Sequence, residues 1–218
     1  MKNKSCVLSN IVPAVICMLF IISFSVILVL NFRPLYYHDI KRLNIVEDSG
    51  IPENEIRRNY DVLISYNSIF HRGDLEFPTL AMSEEGRIHF EEVRNIFVFI
   101  QYLCIVTFII GVPLVCMLIH RRNTAFLKLT SILTLTVPTI LGILISMNWE
   151  AFFVTFHHIF FRNDYWIFDP ATDPVITILP DTFFMHCAIA ILVLVILFSV
   201  LSLMLSYIFS RYHSLKSS

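Results

Sequence analysis

The sequence predicts an all-α membrane protein: four transmembrane helices and a small, partly irregular extracellular cap. Three observations predict it. The chain is 56% hydrophobic with a mean hydropathy of +0.72. Only 15% of its residues are charged, against about 25% in a typical soluble domain. Four charge-free apolar stretches are each longer than the roughly 18 residues that mark a membrane span.

Those stretches are 11–31, 95–119, 129–149 and 183–210. At about 1.5 Å per residue, each crosses a hydrocarbon core of about 30 Å as a helix. Pro13, Pro113 and Pro138 fall inside them. Proline is tolerated there because neighbouring helices and Ser/Thr side chains satisfy the freed carbonyls. The first stretch outruns the apolar core of a signal peptide, and no small-residue cleavage site follows it. It reads as a retained anchor.

Charge sets the orientation. Residues 1–10, 120–128 and 211–218 hold Lys2, Lys4, Arg121, Arg122, Lys128, Arg211 and Lys216, and no acid. All 17 carboxylate side chains lie in 32–94 and 150–182. Short flanks rich in Lys and Arg stay in the cytoplasm. The two tails and the 120–128 loop are therefore expected inside, and the two acidic segments outside. The five cysteines fall in the N-terminal tail (Cys6) and the spans (Cys17, Cys104, Cys116 and Cys187). A cap without cysteine is held by packing rather than by disulfides.

The first external segment is too short to bury much surface alone, so it is expected to pack against the second. Gly50-Ile51-Pro52-Glu53 reads as a helix start. Ile56, Tyr60, Leu63 and Asn67 then share one helical face, with Ile64 beside it. Phe77–Met82 reads as extended. Ser83-Glu84-Glu85 is an N-cap with first-turn acids, opening a helix that runs through His89 into the second span. Glu85 and Glu92 stand at i−4 and i+3 from His89, within reach of its ring. The second external segment is crowded with aromatics, which favour the membrane–water boundary. Its Asp169-Pro170, Asp173-Pro174 and Pro180-Asp181 steps are turn signals, so the segment reads as folded but irregular.

Among the eight histidines, His89, His157, His158 and His186 map near the outer interface. Imidazole titrates in the range useful for proton transfer. His89 and His157 are the strongest candidates for chemistry, set against the plainer role of a hydrogen-bonded structural group. No serine stands in G-x-S-x-G and no H-E-x-x-H occurs. His157 and His158 are neighbours and point apart on a helix or a strand, so they do not share one metal. Phosphate-binding glycine loops and nucleic-acid signatures are missing.

Three stretches carry more than composition: LYYHDIKRLNI at 35–45, IHFEEVRNIF at 88–97 and FHHIFFRNDYWIFDPATDPVITILPDTFF at 156–184. With the four spans, they resemble the bacterial lipoprotein intramolecular transacylases (Lit), over nearly the whole chain. The resemblance implies a multi-pass enzyme of the Gram-positive cell membrane. Its substrate would be a lipoprotein, within the bilayer, whose N-terminal cysteine carries a diacylglyceryl thioether. The acyl chain at the sn-2 glycerol oxygen would move to the cysteine α-amine, giving a lyso-form lipoprotein. No cofactor, metal or nucleic acid is implied. The family's catalytic histidines match His89 and His157. Glu92 stands where an aspartate is common, so the carboxylate is kept. Tyr66, Phe160, Phe161, Trp166 and Phe184 are candidate pocket walls. Arg162 and Asn163 are candidates for binding an ester carbonyl or a headgroup phosphate, and Asp173 for orienting a histidine or forming its own turn.

Two other functions compete. One is a zinc-dependent membrane hydrolase using His89, His157 and external acids. The other is a non-enzymatic membrane accessory, such as a transporter subunit or sensor component. The latter predicts charge inside the spans for a solute path, and only Lys128, close to a cytoplasmic end, comes near.

Overall fold

A computed structural model of the chain describes residues 2–215. The side chains of residues 2–8, 137 and 213–215 lie outside that description, so Lys2, Lys4, Cys6 and His213, together with Lys216, lie outside the described residues. The described residues form helices and connecting loops, with no strand. In chain order the helices are α1 (Lys2–Asn31), α2 (Arg33–Arg42), α3 (Ile45–Ser49), α4 (Glu53–Tyr66), α5 (Glu84–His120), α6 (Ala125–Met147), α7 (Trp149–Phe160), α8 (Val175–Ile178) and α9 (Asp181–Leu215).

Four of these, α1, α5, α6 and α9, are long and apolar enough to cross a membrane. Helices α1, α5 and α9 contain the expected spans 11–31, 95–119 and 183–210, whereas α6 ends at Met147, short of the expected 149. Pro13, Pro113 and Pro138 lie inside helices. The chain divides into two compact units.

One unit comprises Met1–Val26, Gln101–Ile143 and Ala190–Ser218. Small polar residues join its helices: the Ser202 hydroxyl donates to the Leu127 carbonyl at 3.0 Å, and Ser206 donates to the Thr124 carbonyl at 3.2 Å. Lipid tails give helices no hydrophobic reason to associate, so small residues and interhelical hydrogen bonds do that work. Thr130 and Thr134 are fully buried and return their hydroxyls to carbonyls one turn earlier. Large apolar side chains such as Ile109, Ile140 and Leu197 stand on the outside, the face a lipid-bathed helix presents.

The other unit comprises Ile27–Ile100 and Leu144–Ile189, and it holds the two acidic segments. Its core joins them as expected. Tyr36, Ile40, Ile45, Ile56 and Tyr60 from the first segment pack with Val175 and Ile178 from the second and with Phe183 at the start of α9. Tyr36 stacks on Tyr60 at 3.8 Å, and its hydroxyl donates to the Ile178 carbonyl at 2.6 Å. Fully burying one such large side chain contributes about 1.5–3 kcal/mol. The α4 face reads as expected: Ile56, Tyr60, Leu63, Ile64 and Asn67 are all buried. Asn59, on the same helix, donates to the Thr79 hydroxyl at 2.7 Å and so pins the strandless 77–82 stretch.

Three differences from the sequence reading have local causes. Helix α2 follows α1 after a single residue, with a proline in its first turn, where proline's fixed φ suits a helix start. Pro52 sits just before α4 rather than inside its first turn. The second acidic segment is irregular only in part, because Trp149–Phe160 forms α7. Asn148 caps that helix by accepting the Ala151 amide at 3.0 Å. The backbone turns there, so α6 ends at Met147 and a separate helix begins at Trp149.

Candidate active site

His89 lies in the first turns of α5, among Glu84, Glu85, Arg87, Glu91, Glu92 and Arg94 and ahead of the charge-free run that begins at Asn95. Ser83 caps this helix, its hydroxyl accepting the Gly86 amide at 2.9 Å. The Asp173 carboxylate accepts the Ser83 amide at 2.8 Å. Gly86 makes that approach possible: a Cβ there would collide with the Asp173 carboxylate and press on Phe168. The second acidic segment thus holds the start of the helix that carries His89.

His157 comes from α7. The helix turns His157 inward and His158 outward, so the first is buried and the second exposed. The His89 and His157 rings lie 6.2 Å apart, centroid to centroid. Phe161 spans them, at 4.7 Å from His89 and 5.6 Å from His157. Trp166 stacks on His157 at 4.5 Å, and Phe153 covers it at 4.2 Å. Phe168 and Phe90 flank His89 at 5.5 and 5.9 Å.

The ring nitrogens differ. His157 Nδ1 lies 2.7 Å from the Phe153 carbonyl. A carbonyl only accepts, so Nδ1 carries the hydrogen and Nε2 of the neutral ring keeps its lone pair. His89 Nδ1 is buried without a partner. Glu92, within reach on the helix, instead takes the Asn163 amide at 3.0 Å. Glu92 is therefore turned to Asn163 through Oε1, and His89 Nδ1 does not receive the expected carboxylate.

Burial pushes the His89 imidazole down to about 4, with His157 adding to the effect. His157 is lowered too, chiefly by burial; its bond to the Phe153 carbonyl opposes this and His158 adds slightly to it. Both rings are therefore neutral near pH 7. Among the described residues, no three His, Cys, Asp or Glu side chains converge as a metal site would require.

The family comparison supplies what this geometry does not name. A model of the lipoprotein intramolecular transacylase Lit matches residues 11–184. The chain belongs to the Lit family. Solved structures of the membrane-integral Lit from Bacillus cereus agree. One is 41% identical over 95% of this chain and 97% of its own, with a TM-score of 0.93. Two others carry a histidine replaced by arginine or by alanine; both are 40% identical with TM-scores of 0.89. They cover 99% and 98% of this chain, and 96% and 97% of their own. No curated protein matches. As a Lit family member the protein is a membrane-integral transacylase, which sets aside the hydrolase and accessory readings.

The structure gathers the other candidate residues unevenly. Phe161 and Trp166 touch the histidines directly. Phe184 reaches them through Phe153, at 5.9 Å, and Phe160 through Phe156, at 4.6 Å. Asn163 holds Glu92. Asp173 is buried and serves Ser83 and Thr172 rather than a histidine. Tyr66 packs on His71 and under Arg94, with no ring contact to either site histidine among the described residues. Arg162 is exposed.

Sequence reasoning missed four residues of this unit. Phe153, at i−4 from His157, and Phe168 were hidden in a run, 149–168, where nine of twenty residues are aromatic. Gly86 was one glycine in a charged helix start. Asp39 is buried on α2, where its carboxylate lies 2.7 Å from His186 Nδ1 on α9. The pair is 147 positions apart in sequence, and no local signal joins it.

Proposed function

We propose that the protein moves the sn-2 acyl chain of a diacylglyceryl-cysteine lipoprotein to the cysteine α-amine, with His157 as general base and His89 as the group that polarises the ester. The observation that carries the reading is the neutral histidine pair, 6.2 Å apart in an aromatic enclosure, with a lone pair kept on His157 Nε2.

The chemistry explains why a protein nucleophile is not needed. Nucleophile and ester belong to one molecule. Attack closes a ring of about eight atoms: N, Cα, Cβ, S, two glycerol carbons, oxygen and the carbonyl carbon. Such a ring closes slowly in a flexible chain, and correct positioning is worth about 7–11 kcal/mol. Phe161, Trp166, Phe160 and Phe184 supply rigid walls for a folded lipid glycerol.

The protons balance as follows. The α-ammonium, of reference pKa about 7.7–8.0, loses one proton to His157 Nε2. The amine nitrogen attacks the carbonyl carbon while His89 donates to the carbonyl oxygen. The bond from that carbon to the glycerol oxygen then breaks. The second nitrogen proton passes to the departing oxygen. An N-acyl amide and a free glycerol hydroxyl result, and His157 returns its proton to water.

Orientation completes the reading. The basic, acid-free ends face the cytoplasm and the acidic unit faces outward, the side on which a lipoprotein presents its modified cysteine. Arg162, exposed and next in sequence to Phe161, would meet a headgroup phosphate. In cells expressing the protein, mild alkali should strip ester-linked chains and leave one alkali-resistant acyl group on the N-terminal cysteine peptide. That resistant acyl group should be absent from cells carrying His157→Gln or His89→Gln. Near-normal product in either variant contradicts the assignment of roles.

A further inference from the structure

We propose that Glu92 seats the α-ammonium of the incoming substrate; this rests on the transacylase reading. The reacting segment of a diacylglyceryl-cysteine carries one cation. The rings around His89 and His157 are uncharged, and a cation entering such a place needs a counter-charge.

Glu92 stands three residues beyond His89 on α5, on the same helical face. Its Oε1 accepts from Asn163 Nδ2 at 3.0 Å, while its Oε2 is buried with no hydrogen-bond partner. Asn163 is itself fixed, because its own oxygen accepts the Tyr165 amide at 3.2 Å. It lies two residues past Phe161, the ring that spans both histidines. One carboxylate oxygen is therefore locked and the other is left open next to the site. A buried acceptor without a partner calls for an explanation.

The nearby cations do not pair with Glu92 Oε2. Arg87 pairs with Glu84 and Glu91. Arg94 spends its donors on the Tyr66 and His71 carbonyls at 2.9 Å. Among the described residues no ion pair includes Glu92. An ammonium carries three N–H donors. One can go to Glu92 Oε2 and another can be handed to a histidine. This seat would select a free N-terminus and hold the amine within the enclosure before it loses its proton.

The test uses unreactive substrate analogues, with an ether replacing the sn-2 ester and the α-amine either free or acetylated. Binding to the purified full-length protein is measured at about pH 6.5, where the amine is protonated. Wild type should prefer the free amine by about ten-fold or more, the size of one charge-assisted hydrogen bond. Glu92→Gln should lose that preference, and Glu92→Asp should recover part of it. An undiminished preference in folded Glu92→Gln overturns the proposal, and so does a wild type that does not discriminate. Should Glu92→Gln fail to fold, the wild-type and Glu92→Asp measurements decide alone. Because the ether analogues cannot react, binding is read apart from activity. Failure of wild type to convert the corresponding ester would instead count against the transacylase reading.

Discussion

Two histidine pairings within one unit behave differently. His186 meets Asp39, a carboxylate only 1% exposed, at 2.7 Å. His89 and His157 meet each other across 6.2 Å, with aromatic rings around them and no carboxylate on either ring. A buried carboxylate–imidazole contact is hard to break without leaving a buried polar group unsatisfied. It ties α2 to α9. Imidazoles held by a carbonyl and by ring faces stay neutral and free to exchange protons. Under the proposed mechanism, the first arrangement serves the fold and the second serves chemistry.

Substitutions sharpen that contrast, beginning with the largest effect. His157→Gln should lower turnover by about 10²–10⁴, the usual weight of a general base, with the thermal midpoint little changed. Asp39→Ala should do the reverse, costing about 1–3 kcal/mol of stability because the His186 ring loses its hydrogen-bond partner. Thermal unfolding in detergent checks it, and folded enzyme should retain most of its specific activity. A His186→Gln variant as inactive as His157→Gln, yet equally stable, would erase the distinction. Gly86→Ala should cost about 1–3 kcal/mol by forcing the Asp173 carboxylate away from the start of α5. Activity should fall with it, since His89 rides on that helix.

The pH profile probes the same division. A lowered histidine pKa means that His157 stays neutral, and competent as a base, below the ordinary histidine value of about 6.5. The acid limb of kcat/KM should therefore lie under pH 6.5, and, because the substrate binds as an ammonium, kcat/KM should fall again as the free amine deprotonates near 7.7–8.0. Stability follows the same sign. Charging a buried neutral histidine favours the unfolded chain, so stability holds above pH 6.5 and declines as the pH falls toward the His89 value of about 4. Arg162→Gln should have the smallest effect, within about 0.5 kcal/mol of stability, because the side chain is exposed.

What could be read from sequence divides along physical lines. The spans were legible because a membrane demands length and the absence of charge, and both are local properties. The α4 face and the Ser83 cap were legible because helical period and capping chemistry are local too. Local spacing alone could not separate His157 from His158; the family resemblance pointed to His157, and α7 turns that ring inward. The Asp39–His186 contact was beyond reach, because tertiary packing joins residues that share no pattern. Glu92 was read as a partner for His89, its neighbour on the helix; the actual partner, Asn163, lies 71 positions away. Local spacing shows what a side chain can reach, whereas packing decides which contact is taken.

A crossover experiment examines the intramolecular histidine mechanism at its root. Purified protein is given two diacyl lipopeptides together, one with an isotopically heavy sn-2 chain and the other with a heavy peptide, and the products are resolved by mass spectrometry. The mechanism above predicts N-acylated products in which every peptide keeps its own acyl chain, with no fatty acid released and no product from His157→Gln. Peptides carrying each other's chains, or free fatty acid formed in step with turnover, would contradict it.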